Sequence, residues 1–182
     1  MLTCALRRTL LGALLVAACA LLAAPEAHAQ DGTRIIRSWT DDVKVENGRT
    51  EQWEFVIAYD PATGALTQTA RNHRGVVMST TDLTGHHIAP NEEEIADAVR
   101  LIRNDPELAA VLAAAPGHII SGGFNLVRPE IGCEATSRCL QFDLMQEDLP
   151  NRRVNRLRYV VVDLRTGQFV SRNYNPANDG RR

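Results

Sequence analysis

Two neighbouring histidines, His86 and His87 in TGHHIAP, are the side chains best suited to hold a metal. With His73 or His118 as a further donor they would form a small copper site. Their spacing opposes this, because adjacent side chains of an extended chain point to opposite faces. A plain loop pair is the expectation, and His86 and His87 stand as the weak candidates for metal ligands. Three successive carboxylates, Glu92, Glu93 and Glu94, have the chemistry of general acids and bases. They also fall where a helix would begin, and the positive end of its dipole accounts for them. Asp60 and Asp163 each open an Asp-x-x-Thr-Gly stretch and are expected to bond their own turns. No serine lies in a nucleophile-elbow pattern, and Gly122 and Gly123 lack the spacing of a phosphate loop. The residues assign no catalytic side chain and no cofactor ligand.

Of the four cysteines, Cys4 and Cys19 lie in an N-terminal apolar segment, leaving Cys133 and Cys139 in GCEATSRC. A wide spacing with no nearby histidine is a poor metal signature, and two cysteines outside the cytoplasm most simply pair with each other. A Cys133–Cys139 disulfide is expected.

The compartment follows from the first residues. Arg7 and Arg8 precede an apolar run from Leu10 to Ala24, and Ala27-His28-Ala29 has the A-x-A form of a cleavage site. Residues 1–29 are expected to be a signal peptide, making the protein periplasmic or secreted. The run is too short and wrongly flanked for a membrane span. Val16-Ala17-Ala18-Cys19 also fits a lipobox that would leave a lipid anchor at Cys19, but the residues after Cys19 stay apolar, unlike a lipoprotein tether. The arginine pair also fits a twin-arginine signal, and the two export routes are not separable here. Without Arg7, Arg8 and Glu26, 18 basic and 21 acidic residues remain. That balance lacks the basic footprint of a nucleic-acid binder.

The elements that would position these groups are read from periodicity. Residues 30–90 form an N-terminal strand region. Asn47-Gly48 separates two alternating runs as a hairpin signal. Trp53, Phe55, Ile57 and Tyr59 share the face expected to be buried. Asp60-Pro61-Ala62-Thr63-Gly64 turns the chain, a strand follows through Leu66 to Ala70, and RGVVMSTTDL makes another. Over residues 91–116 the period changes to helical. Asn91 and Glu94 form a capping box, with Ile95, Val99 and Ile102 as an apolar stripe widened by Ala98 and Leu101. Asp105-Pro106 ends this helix and starts a second, whose buried side is Leu108, Val111 and Leu112. Residues 117–174 return to strands and carry the disulfide. HIISGGFNLVRPEIG reads as a strand pair broken at the glycines, and CLQFDLMQ as a strand with Leu140, Phe142 and Leu144 inward. EDLPNRR is a loop, and a strand with Leu157, Tyr159 and Val161 on one face leads to the second Thr-Gly turn and Phe169-Val170. Residues 175–182 have the composition of a disordered tail. The class is α+β, with helices packed on antiparallel sheet. The repeated Asp-x-x-Thr-Gly hairpins are neighbours in one sheet, or centre two related modules, or share a good connector by chance.

The stretch from about Trp53 to Asn173, about two-thirds of the chain, resembles the N2 and N3 domains of copper amine oxidases. IAPNEEEIADAVRLIRNDPELAAVLA looks like their acidic helix, and RYVVVDLRTGQFVSRNYNP like the closing hairpin of the second such domain. The hairpins also look like PepSY-type domains. The resemblance implies a cystatin-like fold, and two consecutive modules would explain the repeated turn. It does not carry the family's chemistry across. There, a large C-terminal domain holds copper on three histidines and converts the tyrosine of T-x-x-N-Y-D/E to topaquinone. Here Asn173-Tyr174-Asn175 has Val170 at the threonine position and Asn175 in place of the carboxylate, and no H-x-H pair is present. Tyr174 is expected in a tail without a pocket, and neither copper nor topaquinone is expected. The resemblance implies a non-catalytic accessory module whose partner is an amine-oxidase-like enzyme or another envelope or secreted protein. The alternatives are an inhibitor or chaperone-like module, or a small copper-binding periplasmic protein using His86 and His87.

Overall fold

The computed structural model describes residues 32–148 and 153–175. The expected signal peptide, the Cys19 anchor and the tail beyond Asn175 lie outside the described residues. Four strands, β1 (Arg34–Lys44), β2 (Thr50–Tyr59), β3 (Leu66–Asn72) and β4 (Val77–Asp82), are followed by helices α1 (Glu92–Asn104) and α2 (Pro106–Ala113). Four more strands follow: β5 (His118–Leu126), β6 (Cys139–Asp148), β7 (Arg153–Asp163) and β8 (Gln168–Ser171). They make two antiparallel meanders, β1-β2-β3-β4 and β5-β6-β7-β8. The two Thr-Gly turns therefore belong to different sheets, one in each of two modules of an α+β fold.

The helices cover one face of the second sheet. Ala98, Ile102, Leu108 and Leu112 pack on Leu140, Phe142, Leu144, Val160 and Val162, with Ile95, Val99 and Leu101 at the margin. The apolar stripe of α1 is thus centred on Ala98 and Ile102, a step away from Ile95 and Val99. Asp105 caps α2 by accepting from the Leu108 N–H at 3.1 Å. Its carboxyl is held below the usual carboxylate range, chiefly by the bond from Arg172. The opposite face of the same sheet is covered by the Cys133–Cys139 disulfide, packed with Val161 and Tyr174. Burial on both faces explains why Val160, Val161 and Val162 are all inaccessible in succession.

Several expectations need correction. Leu157 does not share a face with Tyr159 and Val161. The register passes from Leu144–Arg158 to Met145–Arg156, so Leu157 is an extra residue that swings to the helix side. HIISGGFNL is one strand: Gly122 and Gly123 sit at a bulge, where a Cβ on Gly122 would meet the Gln141 carbonyl and the φ of 132° suits glycine. The loop read as EDLPNRR is shorter, since β6 runs to Asp148 and β7 begins at Arg153. Tyr174 is not in a free tail, because its N–H donates to the Tyr159 carbonyl at 2.8 Å and its ring is buried by the disulfide.

Among the described residues no helix packs in the core of the first sheet. Ile36, Ile57, Tyr59 and Leu66 form a small core closed by Trp39 and by Leu83 and Ile88 of the following loop. Burial fades along β2 away from this core: Trp53 and Phe55 are half-buried, and Val56 on the other face is buried instead. Trp39 stacks on Phe55 with centroids 5.2 Å apart. The β1–β2 hairpin closes through a turn over Glu46–Gly48, with Gly48 at φ 71°.

Candidate functional site

The ionisable side chains that meet in the interior do so at the joint between the two sheets. The Asn91 side chain accepts from the Glu94 N–H at 2.8 Å, and Glu94 Oε2 accepts from the Asn91 N–H at 3.2 Å. A capping glutamate ordinarily faces water; this one is 0% exposed, and the guanidinium opposite it is 2% exposed. Arg138 Nε and Nη2 each donate to one Glu94 oxygen at 2.8 Å, while Nη1 donates to the Ile88 carbonyl at 2.9 Å. This is the paired geometry in which arginine binds carboxylate most strongly. Asp163 Oδ1 accepts from the Arg138 N–H at 3.0 Å. All three guanidinium nitrogens are engaged and both Glu94 oxygens accept, so no position is left for a reacting atom. The arrangement can hold two elements together.

Tyr59 borders the same joint, its hydroxyl 3.5 Å from the Thr136 carbonyl. Burial, followed by the charge of Asp163, pushes its phenol up to about 12. Between the ordinary value of 10 and about 12 the folded state keeps a proton that the unfolded state releases. Stability is full below that window and is lost as pH rises through it. An alkaline absorbance titration should show a tyrosine step near 12 that Tyr59→Phe removes. A step near 12 that is unchanged by Tyr59→Phe, or no such step, would contradict this placement.

The two Asp-x-x-Thr-Gly turns repeat one bond pattern. Asp60 accepts from the Ala62 N–H at 2.8 Å and the Thr63 hydroxyl at 2.7 Å; Asp163 accepts from the Arg165 N–H at 3.0 Å and the Thr166 hydroxyl at 3.1 Å. Gly64 and Gly167 close them at φ 77° and 68°. The turns also touch. Arg165 Nε and Nη2 donate to the Pro61 and Ala62 carbonyls, each at 3.2 Å. The disulfide loop supplies Thr136 and Arg138 to this same contact. Cys133→Ala/Cys139→Ala should therefore lower stability by roughly 2 kcal/mol in urea unfolding, the entropy of so short a loop. An unchanged midpoint would mean that the loop is held by its other contacts alone.

The histidines are dispersed. His86 and His87 are exposed, with His87 Nδ1 3.2 Å from the Asn125 carbonyl. His118 Nδ1 lies 3.2 Å from the Ala115 carbonyl, and His73 stands at the β3–β4 turn. Among the described residues no group of three His, Cys, Asp or Glu side chains is placed to hold a metal.

What remains open is an edge. β4 is exposed over its whole length, with Val77 at 51% and Met78 at 47%, and Val76 before it at 54%. The Leu83 N–H donates to the Leu66 carbonyl at 2.7 Å. Alternation along the ladder then turns Thr81 and Ser79 inward and leaves the backbone groups of Thr80 and Asp82 facing outward. The other edges are better guarded. β1 has a bulge at Ile36 and charges at Arg37, Asp41, Asp42 and Lys44; β5 is bulged; β8 has four residues. The only comparable irregularity in β4 is at Met78, next to the turn. Reading RGVVMSTTDL as a strand did not reveal its edge position, although an unalternating Val-Val-Met followed by polar residues is a clue. No protein-family model matches the chain, and no curated protein matches it.

Proposed function

We propose that this is an exported, non-catalytic interaction module that takes up an extended segment of an envelope or secreted partner along β4. The observation that carries this is the free edge: among the described residues, the outward backbone groups of Thr80 and Asp82 have no strand beside them, next to exposed Val76, Val77 and Met78. Such an edge is a template for an added strand, where main-chain bonds supply affinity. The Cys133–Cys139 pair supports an oxidising compartment. The second module, a helix pair followed by a four-strand meander, supports the cystatin-like reading and, through it, the resemblance to the N-terminal domains of copper amine oxidases. Among the described residues the first module is a meander without an α-helix. An amine-oxidase-like enzyme is accordingly one partner of this class, and neither copper nor topaquinone belongs to the chain itself.

The test uses affinity capture from an envelope extract with the wild-type chain and Thr80→Pro. Proline at an outward-facing edge position leaves the inner ladder intact. The expected result is a partner retained by wild type and lost by Thr80→Pro, with an unchanged melting temperature. Equal recovery by both proteins, or hydrogen peroxide released from amines by the purified chain, would overturn the reading.

A further inference from the structure

The tip of the first sheet says what kind of segment β4 would receive. The β1–β2 loop and the β3–β4 turn stand at the same end and enclose an open cleft. Lys44, Arg49, Trp53, His73, Arg74 and Met78 line it, together with two carboxylates, Glu46 and Glu51. Glu51 is occupied within the cleft, with Trp53 Nε1 at 3.5 Å and His73 Nδ1 at 4.0 Å. Arg74 Nε donates to His73 Nε2 at 3.3 Å. Among the described residues, Lys44 and Arg49 have no ion-pair partner. At the other end of β4, Asp82 is exposed, and its carboxyl is held below the usual range by the hydroxyl and N–H of Thr84. The edge is therefore polarised. Arg74 lies at its Val77 end, with Lys44, Arg49 and the Trp53 indole across the β3–β4 turn in the cleft, and a carboxylate lies at its far end.

We propose that the occupant of β4 is an extended peptide whose acidic end lies in the cleft of Lys44, Arg49 and Arg74, with its other end passing Asp82. This rests on the strand-addition reading and adds charge and direction to it. Complementary charge suppresses the wrong direction more than it raises affinity. An antiparallel peptide would bring its C-terminal end to the cleft, and a parallel one its N-terminal end. Met78 and the Trp53 ring offer apolar contact beneath the acidic side chains.

The experiment measures fluorescence anisotropy with the full chain and synthetic peptides of alternating Val and Thr. One peptide carries a C-terminal Glu triplet, one an N-terminal Glu triplet, and two further peptides carry Lys triplets at the same ends. One Glu peptide is expected to bind at least about tenfold more tightly than its Lys counterpart, a difference of about 1.4 kcal/mol. Arg49→Glu/Arg74→Glu should reverse that preference. Thr80→Pro should abolish binding, and so should methylation of alternate backbone nitrogens of the peptide, which leaves the protein untouched. Equal binding of Glu and Lys peptides, lost on backbone methylation, would overturn the charge assignment and leave strand addition standing. Binding that survives both Thr80→Pro and backbone methylation would overturn strand addition itself. No binding by any peptide, or a dimer that Thr80→Pro dissolves, would also overturn the proposal, the dimer assigning the edge to a second copy.

Discussion

Exchanging Arg138 for methionine is expected to destabilise the fold by about 3–5 kcal/mol, read as a lowered midpoint in urea unfolding. The guanidinium is buried, and its removal leaves the Glu94 carboxylate, itself inaccessible, with the Asn91 N–H as its remaining donor among these contacts. An uncompensated charge in a dry joint costs far more than the pair contributes, because the pair had already lost its hydration. The companion variant separates the two terms. Glu94→Leu/Arg138→Met removes both charges and should recover most of the loss, short of about 1 kcal/mol for the lost capping partner. Arg138→Lys keeps the charge but cannot make the fork to Glu94 and the bond to the Ile88 carbonyl together, so it should fall between. A loss below about 1 kcal/mol for Arg138→Met would show that water reaches the joint.

The second large effect contrasts the two Thr-Gly turns. Gly64 and Gly167 have nearly the same backbone conformation, so alanine carries the same left-handed cost of about 1–2 kcal/mol at either site. Their surroundings differ. A Cβ on Gly167 meets nothing within 4 Å, whereas one on Gly64 would collide with the backbone carbonyl and Cβ of Thr136. Relieving that collision means moving the disulfide loop, which adds an overpacking cost of about 1–3 kcal/mol. Gly64→Ala should therefore be clearly the more harmful in the same assay. Gly64→Ala should also bring the pKa of Tyr59 down from about 12, because displacing Thr136, whose carbonyl lies 3.5 Å from the hydroxyl, relieves the burial that raises it. Equal losses at the two glycines would mean that the Gly64 turn does not press on the disulfide loop.

Much of this architecture was legible in local sequence. Asn91 and Glu94 form the capping box, Asp105-Pro106 divides the helices, and Leu140, Phe142 and Leu144 face inward. Caps and periodicities are decided by neighbours along the chain, and those are visible in a string of letters. The misplaced features depend on distant partners. Leu157 changes face because β7 carries one residue more than β6 needs, and counting along β7 alone cannot show that. Glu94 was legible as a cap, but its main partner lies 44 residues away beside a cysteine. That β4 closes the order of its sheet is likewise a property of pairing, since strand propensity is the same at an edge and in the middle. The site candidates chosen by residue type, His86 and His87, are on the surface, while the open edge is defined by backbone groups that every residue type but proline possesses.

The joint also bears on how the molecule comes apart. The first module has four buried residues in its own cluster, Ile36, Ile57, Tyr59 and Leu66, and Tyr59 closes onto groups supplied by the second. So small a nucleus cannot persist once its neighbour melts. Calorimetry should accordingly record a single endotherm, and amide exchange in β2 should slow to the same limit as in β6, the two meanders opening as one cooperative unit.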